Sequence, residues 1–301
     1  AKLARAQAYA ESANAWSLLV IKEGYIVSEG YYHGGSQDLS TTVNSVTKSF
    51  LGTTLGIAID KGFINDVEDP IAMYMPEYFQ EDDSWKNEIN LEDALKMAWG
   101  FEWNNWDFSQ GSAYWQWYGA ADRNTHAIER NQASEPGTTW NYDCTASHTL
   151  SHVITRATGQ STLEFMQENL LTPMGINTDG STVWGVDGQG VNEGAFGLEL
   201  TSREMAKLGY LYLNDGFWGT RQLVSEEWVE TSTSPLIENT FGSAYGYHWW
   251  VNPNSGAYWA SGLGGQYVIV SPDNDLIMVF TSQSVMPEVL DPEQTISREG
   301  V

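Results

Sequence analysis

Ser45 and Lys48 form the one S-x-x-K sequence of the chain, in the run NSVTK at residues 44–48. A three-residue step along a helix places both side chains on the same face, about 5–6 Å apart at Cβ. A serine hydroxyl becomes nucleophilic when a base takes its proton, and a desolvated lysine can be that base. At a helix N-terminus, backbone N–H groups would also stabilise a developing oxyanion. The alternative is a helix N-cap beside a chance lysine, because S-x-x-K alone is a weak signal.

Other catalytic signatures are missing from the sequence, which has no G-x-S-x-G, no H-E-x-x-H and no Walker loop. His148 and His152 are four residues apart, so on a helix they would share one face and could pair on a metal ion. No Asp or Glu completes the ligand set nearby. We therefore interpret the two histidines as polar residues on an exposed or half-buried helix face, and we expect neither a metal site nor a cofactor.

The order of predicted elements indicates one sheet built from both ends of the chain. Residues 1–14 predict a helix, Trp16–Ile21 and Tyr25–Val27 a β-hairpin, and Ser45–Lys61 a helix. The middle of the chain predicts helices at Leu91–Met97, Ala146–Thr158 and Ser202–Leu213, and the last third predicts strands at Gly246–Val251, Ala257–Ser261, Gln266–Val270 and Leu276–Thr281. The predicted fold class is α/β (α+β), an antiparallel sheet flanked by helices with a mostly helical region inserted. Residues 1–62 with 236–301 would form the sheet domain, 63–235 the helical domain, and the active site would lie between them.

The composition excludes several classes of function. Lys and Arg total 14 against 39 Asp and Glu, a formal net charge of -25, which repels phosphate backbones and anionic membrane surfaces. No stretch approaches the ~20 apolar residues of a membrane span. The single cysteine, Cys144, permits neither an intrachain disulfide nor a cysteine-based zinc site. The predicted partner is thus a small molecule, with no nucleic acid and no membrane, and the sequence specifies no oligomeric state.

Two further segments connect the S-x-x-K sequence to a known family. Residues 140–145 read WNYDCT ahead of a predicted helix, and residues 259–267 read WASGLGGQY between two predicted strands. This order and these separations resemble the class C β-lactamase-like serine hydrolases, which share a β-lactamase/transpeptidase-like fold. The family includes D-alanyl-D-alanine carboxypeptidases, family VIII esterases and 6-aminohexanoate-oligomer hydrolases, and the resemblance covers most of the chain. It favours a secreted or periplasmic location, although no signal peptide is visible in the sequence.

The resemblance implies a role for each matching residue. Ser45 would be the acylated nucleophile and Lys48 its partner base. Tyr142 matches the family tyrosine, which relays a proton between nucleophile and leaving group. The backbone N–H groups of Ser45 and Leu263 would form the oxyanion hole.

Two departures from the family pattern bear on specificity. Cys144 stands where the family's Tyr-x-Asn has the asparagine that orients a β-lactam amide. Ala260 stands where the strand motif has a lysine or histidine that anchors a substrate carboxylate. Ser261, Gly262 and Gln266 would bind substrate, and their G-x-G-G-Q form is similar to the 6-aminohexanoate-oligomer hydrolase and esterase branches. The expected activity is therefore that of an esterase or amidase rather than an efficient β-lactamase.

Aromatic residues crowd into the segment from 99 to 118. They are Trp99, Trp103, Trp106, Tyr114, Trp115, Trp117 and Tyr118. One interpretation is an aromatic wall or lid over the active site, and the other is a helical core with some surface rings. Regular helical spacing is lacking and polar residues are interleaved, so both interpretations stand. Trp103 and Trp106 are the two expected nearest the substrate.

The leading hypothesis is a serine hydrolase that cleaves small ester or amide bonds through an acyl-enzyme on Ser45. The alternative is a non-catalytic ligand-binding or sensor protein on the same fold, in which the sequence at Tyr142, Asp143 and Cys144 marks decay of the site. Retention of Ser45, Lys48 and Tyr142 favours the enzyme.

The net charge predicts a salt-tolerant protein. Self-repulsion among carboxylates destabilises the compact state at low ionic strength, and at about 1 M salt the Debye length falls to near 3 Å. The melting temperature should therefore rise from low salt to molar NaCl, and activity should persist there. Scanning fluorimetry at fixed pH measures this, with KCl as the control expected to act like NaCl. A flat or falling melting temperature would mean that local ion pairs already compensate the charge.

Overall fold

An antiparallel sheet forms the centre of the computed structural model, which describes residues 2–80, 84–176 and 183–283. The strands within these ranges are β1 (Ala15–Lys22), β2 (Tyr25–Tyr31), β3 (Thr41–Thr42), β4 (Glu199–Leu200), β5 (Phe217–Trp218), β6 (Arg221–Gln222), β7 (Ile237–Glu238), β8 (Ala244–Tyr245), β9 (Trp250–Val251), β10 (Tyr258–Gly262), β11 (Gln266–Ser271) and β12 (Leu276–Ser282). In the described ranges, eight of them pair in the order β2-β1-β12-β11-β10-β9-β8-β7, while β3 pairs with β4 and β5 with β6. The first strand therefore lies beside the last, which confirms the predicted fold class.

The pairing of β1 with β12 joins the first and the last of the described strands, with Leu19 opposite Val279. Along β11 and β12 buried residues alternate with partly buried ones, the period of a sheet covered on one face. The predicted strand at 246–251 is wrong over its first four residues. A Cβ at Gly246 would lie 2.0 Å from the Ser232 carbonyl oxygen, and His248 has φ of 61°, so this stretch bends away from extended geometry.

Helices surround the sheet and fill the middle of the chain. They are α1 (Lys2–Ser12), α2 (Val46–Asp60), α3 (Ile71–Tyr74), α4 (Ser84–Asn87), α5 (Leu91–Leu95), α6 (Ala113–Tyr118), α7 (Arg123–Ile128), α8 (Cys144–Thr158), α9 (Thr162–Met166), α10 (Ser202–Leu213) and α11 (Glu226–Ser232). Short 3₁₀ turns occupy Pro76–Tyr78 and Pro272–Asn274, and a π-helical turn occupies Gln167–Leu171. None of the described helices combines the length and apolar character that crossing a membrane requires.

Helix α2 lies between the sheet and the helical region. Its residues are buried from Val46 to Ala58, so it is covered on every side, as expected for a largely apolar helix in a core. It packs against α8 on one side and β10 on the other. This position brings its amino-terminal end to the junction of the two regions.

Helix α10 departs from the predicted division of the chain. It falls inside the range 63–235 that was assigned to the helical domain, yet it packs on β1, β11 and β12. A Cβ at Gly209 would lie 2.9 Å from Ile277 Cγ2 and 3.0 Å from Val268 Cγ1, so the helix approaches the sheet closely. The apolar face of the sheet needs a cover, and this amphipathic helix supplies it.

Candidate active site

Ser45 and Lys48 meet at the start of α2. Ser45 is the N-cap residue, but its side chain makes no capping hydrogen bond to the helix. Lys48 is 1% exposed, and its Nζ donates to Ser45 Oγ at 3.1 Å. The same ammonium donates to the Ala195 carbonyl oxygen at 2.7 Å and to Cys144 Sγ at 3.4 Å. The serine hydroxyl is therefore paired with a buried base rather than with the helix terminus.

Tyr142 completes a group of three side chains with Ser45 and Lys48. Its ring is buried, with the Lys48 Nζ 5.0 Å from the ring centroid. Ser45 and Lys48 both act to lower the pKa of its hydroxyl, against the larger effect of burial, which raises it. The structure thus brings together all three residues that the sequence singled out for proton transfer and nucleophilic attack.

Asp143 fixes the backbone next to Tyr142. As N-cap of α8 it accepts from the Thr145 N–H at 2.7 Å. Its other oxygen accepts from Trp99 Nε1 at 2.8 Å and from Arg130 Nη2 at 3.0 Å. An Asp ahead of a predicted helix is a recognisable cap signal, whereas nothing local in the sequence indicates Arg130 as its partner.

The end of β10 lies against the turn that carries Ser45. Asn44 has φ of 48°, a left-handed conformation that asparagine tolerates, and its Nδ2 donates to the Leu263 carbonyl oxygen at 2.6 Å. A Cβ at Gly262 would lie 2.4 Å from the Val43 carbonyl oxygen, so only glycine permits this approach. Leu263 is thereby tied to Asn44, the residue that precedes Ser45.

The remaining residues of the strand motif differ in accessibility. Ser261 is partly exposed, whereas Ala260 is buried. Gln266 is 0% exposed, and its Nε2 donates to the Ser282 carbonyl oxygen at 2.6 Å. Gln266 is therefore assigned a structural role in place of the predicted contact with substrate. Its buried side chain links β11 to the end of β12 and so stabilises the strand motif.

The aromatic segment divides between the two interpretations. Trp106 is 44% exposed and stacks on the ring of Tyr142, with centroids 5.5 Å apart and planes 17° from parallel. Trp103 is half-buried and packs 4.8 Å beneath the Arg130 guanidinium, with Trp117 edge-on to it. Trp99, Tyr114 and Trp117 are buried core residues. Trp106 thus lies against a catalytic candidate, while Trp103 belongs to the packing behind it.

His248, which the sequence did not single out for function, is hydrogen-bonded to both α2 and α8. Its Nδ1–H donates to the Lys48 carbonyl oxygen at 2.8 Å, which leaves Nε2 to accept from Ser147 Oγ at 3.1 Å. Ser49 Oγ in turn donates to the His248 carbonyl oxygen at 2.7 Å. Burial lowers the pKa of His248 to about 3, so the ring is neutral near pH 7 and serves as a fixed hydrogen-bonding link between α2 and α8.

Three ionisable groups, Lys48, Tyr142 and Cys144, lie together at the site. Burial, the largest single effect, lowers the pKa of Lys48, but the Cys144 and Tyr142 side chains raise it and together prevail. Burial raises the pKa of Tyr142 and of Cys144. Near neutral pH the tyrosine and the thiol are therefore protonated, and the site holds its positive charge on Lys48.

The sequence indicated that His148 and His152 lie on an exposed or half-buried helix face, and this interpretation is wrong. Both are buried, and their Nε2 atoms lie 3.0 and 2.8 Å from Asp187 Oδ2. In the described part of the chain, this is the one group of three possible ligands close enough to share a metal. The Gly194 N–H donates to His148 Nδ1, so the proton of that ring is on Nε2, facing the carboxylate. A metal would reverse this arrangement, and we assign a hydrogen-bonded cluster.

Comparison with known proteins identifies the family. A model of the Beta-lactamase family matches residues 4–299, so the chain belongs to that family. It is 26% identical over 294 residues to the 6-aminohexanoate-dimer hydrolase of Paenarthrobacter ureafaciens, covering 90% of this chain and 73% of that protein. The sequence-based assignment to the class C β-lactamase-like hydrolases is thereby confirmed.

Solved structures share the fold at lower identity. The octameric penicillin-binding protein homologue from Pyrococcus abyssi superposes with a TM-score of 0.72 at 19% identity, covering 94% of this chain and 73% of that one. The hydrolase EstCE1, described as having promiscuous acyltransferase activity, gives 0.76 at 12% identity and 94% coverage of both chains. The chain is thus a member of a hydrolase family with the β-lactamase fold.

The pKa of Lys48 predicts the pH dependence of any reaction that needs its neutral form. Because that pKa is raised, activity should still increase above neutral pH. Cys144→Ala removes one group that raises the pKa of Lys48, so the limb of the kcat/KM profile that rises with pH should move to lower pH. Cys144→Ser keeps a hydrogen-bond acceptor and should move it less. The profile is measured with a nitrophenyl ester after correction for spontaneous hydrolysis, and an unmoved limb in both variants would mean that Cys144 does not influence the pKa of the titrating base.

Proposed function

We propose that this protein is a serine hydrolase that cleaves small ester or amide bonds through an acyl-enzyme on Ser45. The observation that supports it is the 3.1 Å hydrogen bond between Lys48 Nζ and Ser45 Oγ in a buried site that also holds the Tyr142 hydroxyl. A nucleophile and a base within hydrogen-bond distance, with the base oriented by further partners, is the arrangement that nucleophilic catalysis needs.

Acylation begins when Ser45 Oγ attacks the carbonyl carbon of the substrate. In the fraction of molecules in which Lys48 is neutral, the hydroxyl proton passes to Lys48 Nζ, and the carbonyl oxygen becomes an oxyanion that the Ser45 and Leu263 backbone N–H groups stabilise. The bond to the leaving group then breaks as Tyr142 donates its proton to the departing oxygen or nitrogen, and Lys48 returns a proton to Tyr142. Lys48 ends neutral, and the acyl group is covalently attached to Ser45.

Deacylation repeats the sequence with water as the nucleophile. Water attacks the acyl carbon and gives up a proton to the Lys48 and Tyr142 pair. Ser45 Oγ leaves and takes that proton back, so the carboxylic acid product is released and the enzyme regains its starting state. The Ala195 carbonyl keeps the Lys48 amino group directed toward Ser45 in both halves.

Substrate preference is inferred from what the site contains. Cys144 is buried against Lys48 and presents no amide, and Ala260 supplies no cation. A relative at 26% identity is named for hydrolysis of the 6-aminohexanoate dimer, and EstCE1 is named as a hydrolase. Both considerations support an esterase or amidase rather than an efficient β-lactamase.

Substitution of Ser45 tests the proposal. Ser45→Ala should lower ester turnover by several orders of magnitude and abolish labelling by a fluorophosphonate probe, because no covalent intermediate forms. The fold should be unaffected, since the Ser45 side chain makes no capping hydrogen bond. Ser40→Ala, at an exposed position, is the matched control and should behave as wild type. Absence of labelling in the wild-type protein would instead support a ligand-binding or sensor protein.

A substrate panel tests the expected specificity. A charge-assisted partner for the β-lactam carboxylate is typically worth about 1.5–3 kcal/mol, and this site lacks the family's cation for it. Turnover of nitrocefin should therefore be weak or absent beside that of a short-chain nitrophenyl ester. Comparison of kcat/KM for the two substrates measures this, and a nitrocefin value at or above the ester value would refute it.

A further inference from the structure

We propose that Trp106 and Phe241 form a subsite for the leaving group, selective for neutral planar aromatic groups. The proposal rests on the hydrolase function above and adds the class of alcohol or amine that the site releases. It assigns specificity to two residues, of which Phe241 lies outside every motif that the sequence indicated.

The two rings are exposed beside Tyr142. Trp106 and Phe241 are 44% and 49% exposed, although both are large and apolar. Their centroids lie 6.4 Å apart with planes at 83°, while Trp106 is stacked on Tyr142. Phe241 also packs on Trp140 and Trp250, each with centroids 5.9 Å away. Trp106 contacts Tyr142 directly and Phe241 reaches it through Trp106, so the two exposed rings mark a surface for binding apolar groups beside the proposed proton donor.

Hydrogen-bonded turns hold both rings in place. Asn104 Oδ1 accepts from the Trp106 N–H at 3.1 Å. Asn239 Oδ1 accepts from the Phe241 N–H at 2.9 Å, and the Asn239 side chain is anchored by donation to the Ala244 carbonyl oxygen at 3.1 Å. Each backbone is fixed by a side chain just before it, and contacts with neighbouring rings restrain the Trp106 and Phe241 side chains, so binding loses little conformational entropy.

The position of Tyr142 identifies which part of the substrate meets these rings. In the proposed mechanism its hydroxyl protonates the leaving atom, so that atom must come within hydrogen-bonding distance of it. The group attached to the leaving atom then extends past the Tyr142 ring, where Trp106 is stacked. A planar aromatic group can stack on one ring and meet the edge of the other, and such contacts are favourable beyond the area they bury.

Charge near the rings disfavours anionic leaving groups. Asp107 follows Trp106 directly and is exposed, and Glu238 is an exposed residue shortly before Phe241. With a formal net charge of -25 on the whole chain, a leaving group that carries a negative charge would be repelled as it enters. The subsite is therefore suited to neutral aryl groups.

Two acetate esters that share an acyl group isolate the leaving-group contribution. For 2-naphthyl acetate, Trp106→Ala and Phe241→Ala should each lower kcat/KM about tenfold, a loss of the size expected for one aromatic contact. For ethyl acetate, followed by pH-stat, the same substitutions should lower kcat/KM clearly less, because an ethyl group makes no such contact, so the ratio of the two kcat/KM values should fall in each variant. Comparing each variant with wild type on the same ester cancels the different intrinsic reactivities.

Controls separate lost contacts from a displaced Tyr142. Trp106→Phe retains a ring and should restore most of the activity on 2-naphthyl acetate. Phe217→Ala removes a comparably exposed ring on β5, beside α10, and should leave both esters unaffected. Equal losses on the two esters in Trp106→Ala and Phe241→Ala would overturn the subsite and indicate a general disturbance of catalysis. Turnover by Ser45→Ala tests the mechanism separately from the subsite. If this variant still hydrolyses both esters, the acyl-enzyme mechanism itself is rejected.

Charge selectivity gives a second arm. At low ionic strength, and with each rate divided by that of spontaneous hydrolysis of the same ester, methyl 4-acetoxybenzoate should be cleaved at its acetate ester faster than the anion 4-acetoxybenzoate, and added NaCl should narrow the gap by screening. Equal rates at low salt, or faster cleavage of the anion, would contradict the preference for neutral groups.

Discussion

The amino group of Lys48 is the point on which the arrangement of the site depends. A buried ammonium must have its donors satisfied, and its partners come from three separate parts of the chain: Ser45, Ala195 and Cys144. The start of α2, the segment before β4 and the start of α8 therefore have to converge on one point. The fold supplies that convergence by placing α2 between the sheet and α8, with every side of the helix covered.

Contacts further from Lys48 also hold the segments that converge on its amino group. His248 links α2 to α8 beneath the lysine, and the buried cluster of His148 and Asp187 holds the segment that leads to Ala195. From the other direction, Gly262 lets β10 approach the turn before Ser45, and Asn44 ties that turn to Leu263. Lys48 is thus positioned by the helical region and the end of β10 by the sheet, so the candidate site lies where the two meet.

Sequence reasoning succeeded where the determinants are local. The spacing of Ser45 and Lys48, the hairpin β1–β2 and the alternation in β11 follow from nearby residues. It failed where the partner is distant in sequence. Asp187, thirty-five residues beyond His152, explains why both histidines are buried, and neither this contact nor the one that seals Gln266 against the Ser282 carbonyl leaves a local trace. The position of α10 on the sheet likewise depends on tertiary packing, which helical periodicity in the sequence does not predict.

Cys144 is a chemical probe of how often the junction between α8 and Lys48 opens. It is the single thiol of the chain, it is buried, and burial raises its pKa, so a soluble thiol reagent finds no reactive thiolate while the site is closed. Modification then proceeds only when the start of α8 separates from Lys48. The rate of thiol labelling therefore reports how often this junction opens, and a bound acyl group or inhibitor that holds the junction shut should slow the labelling in proportion to the time it is bound.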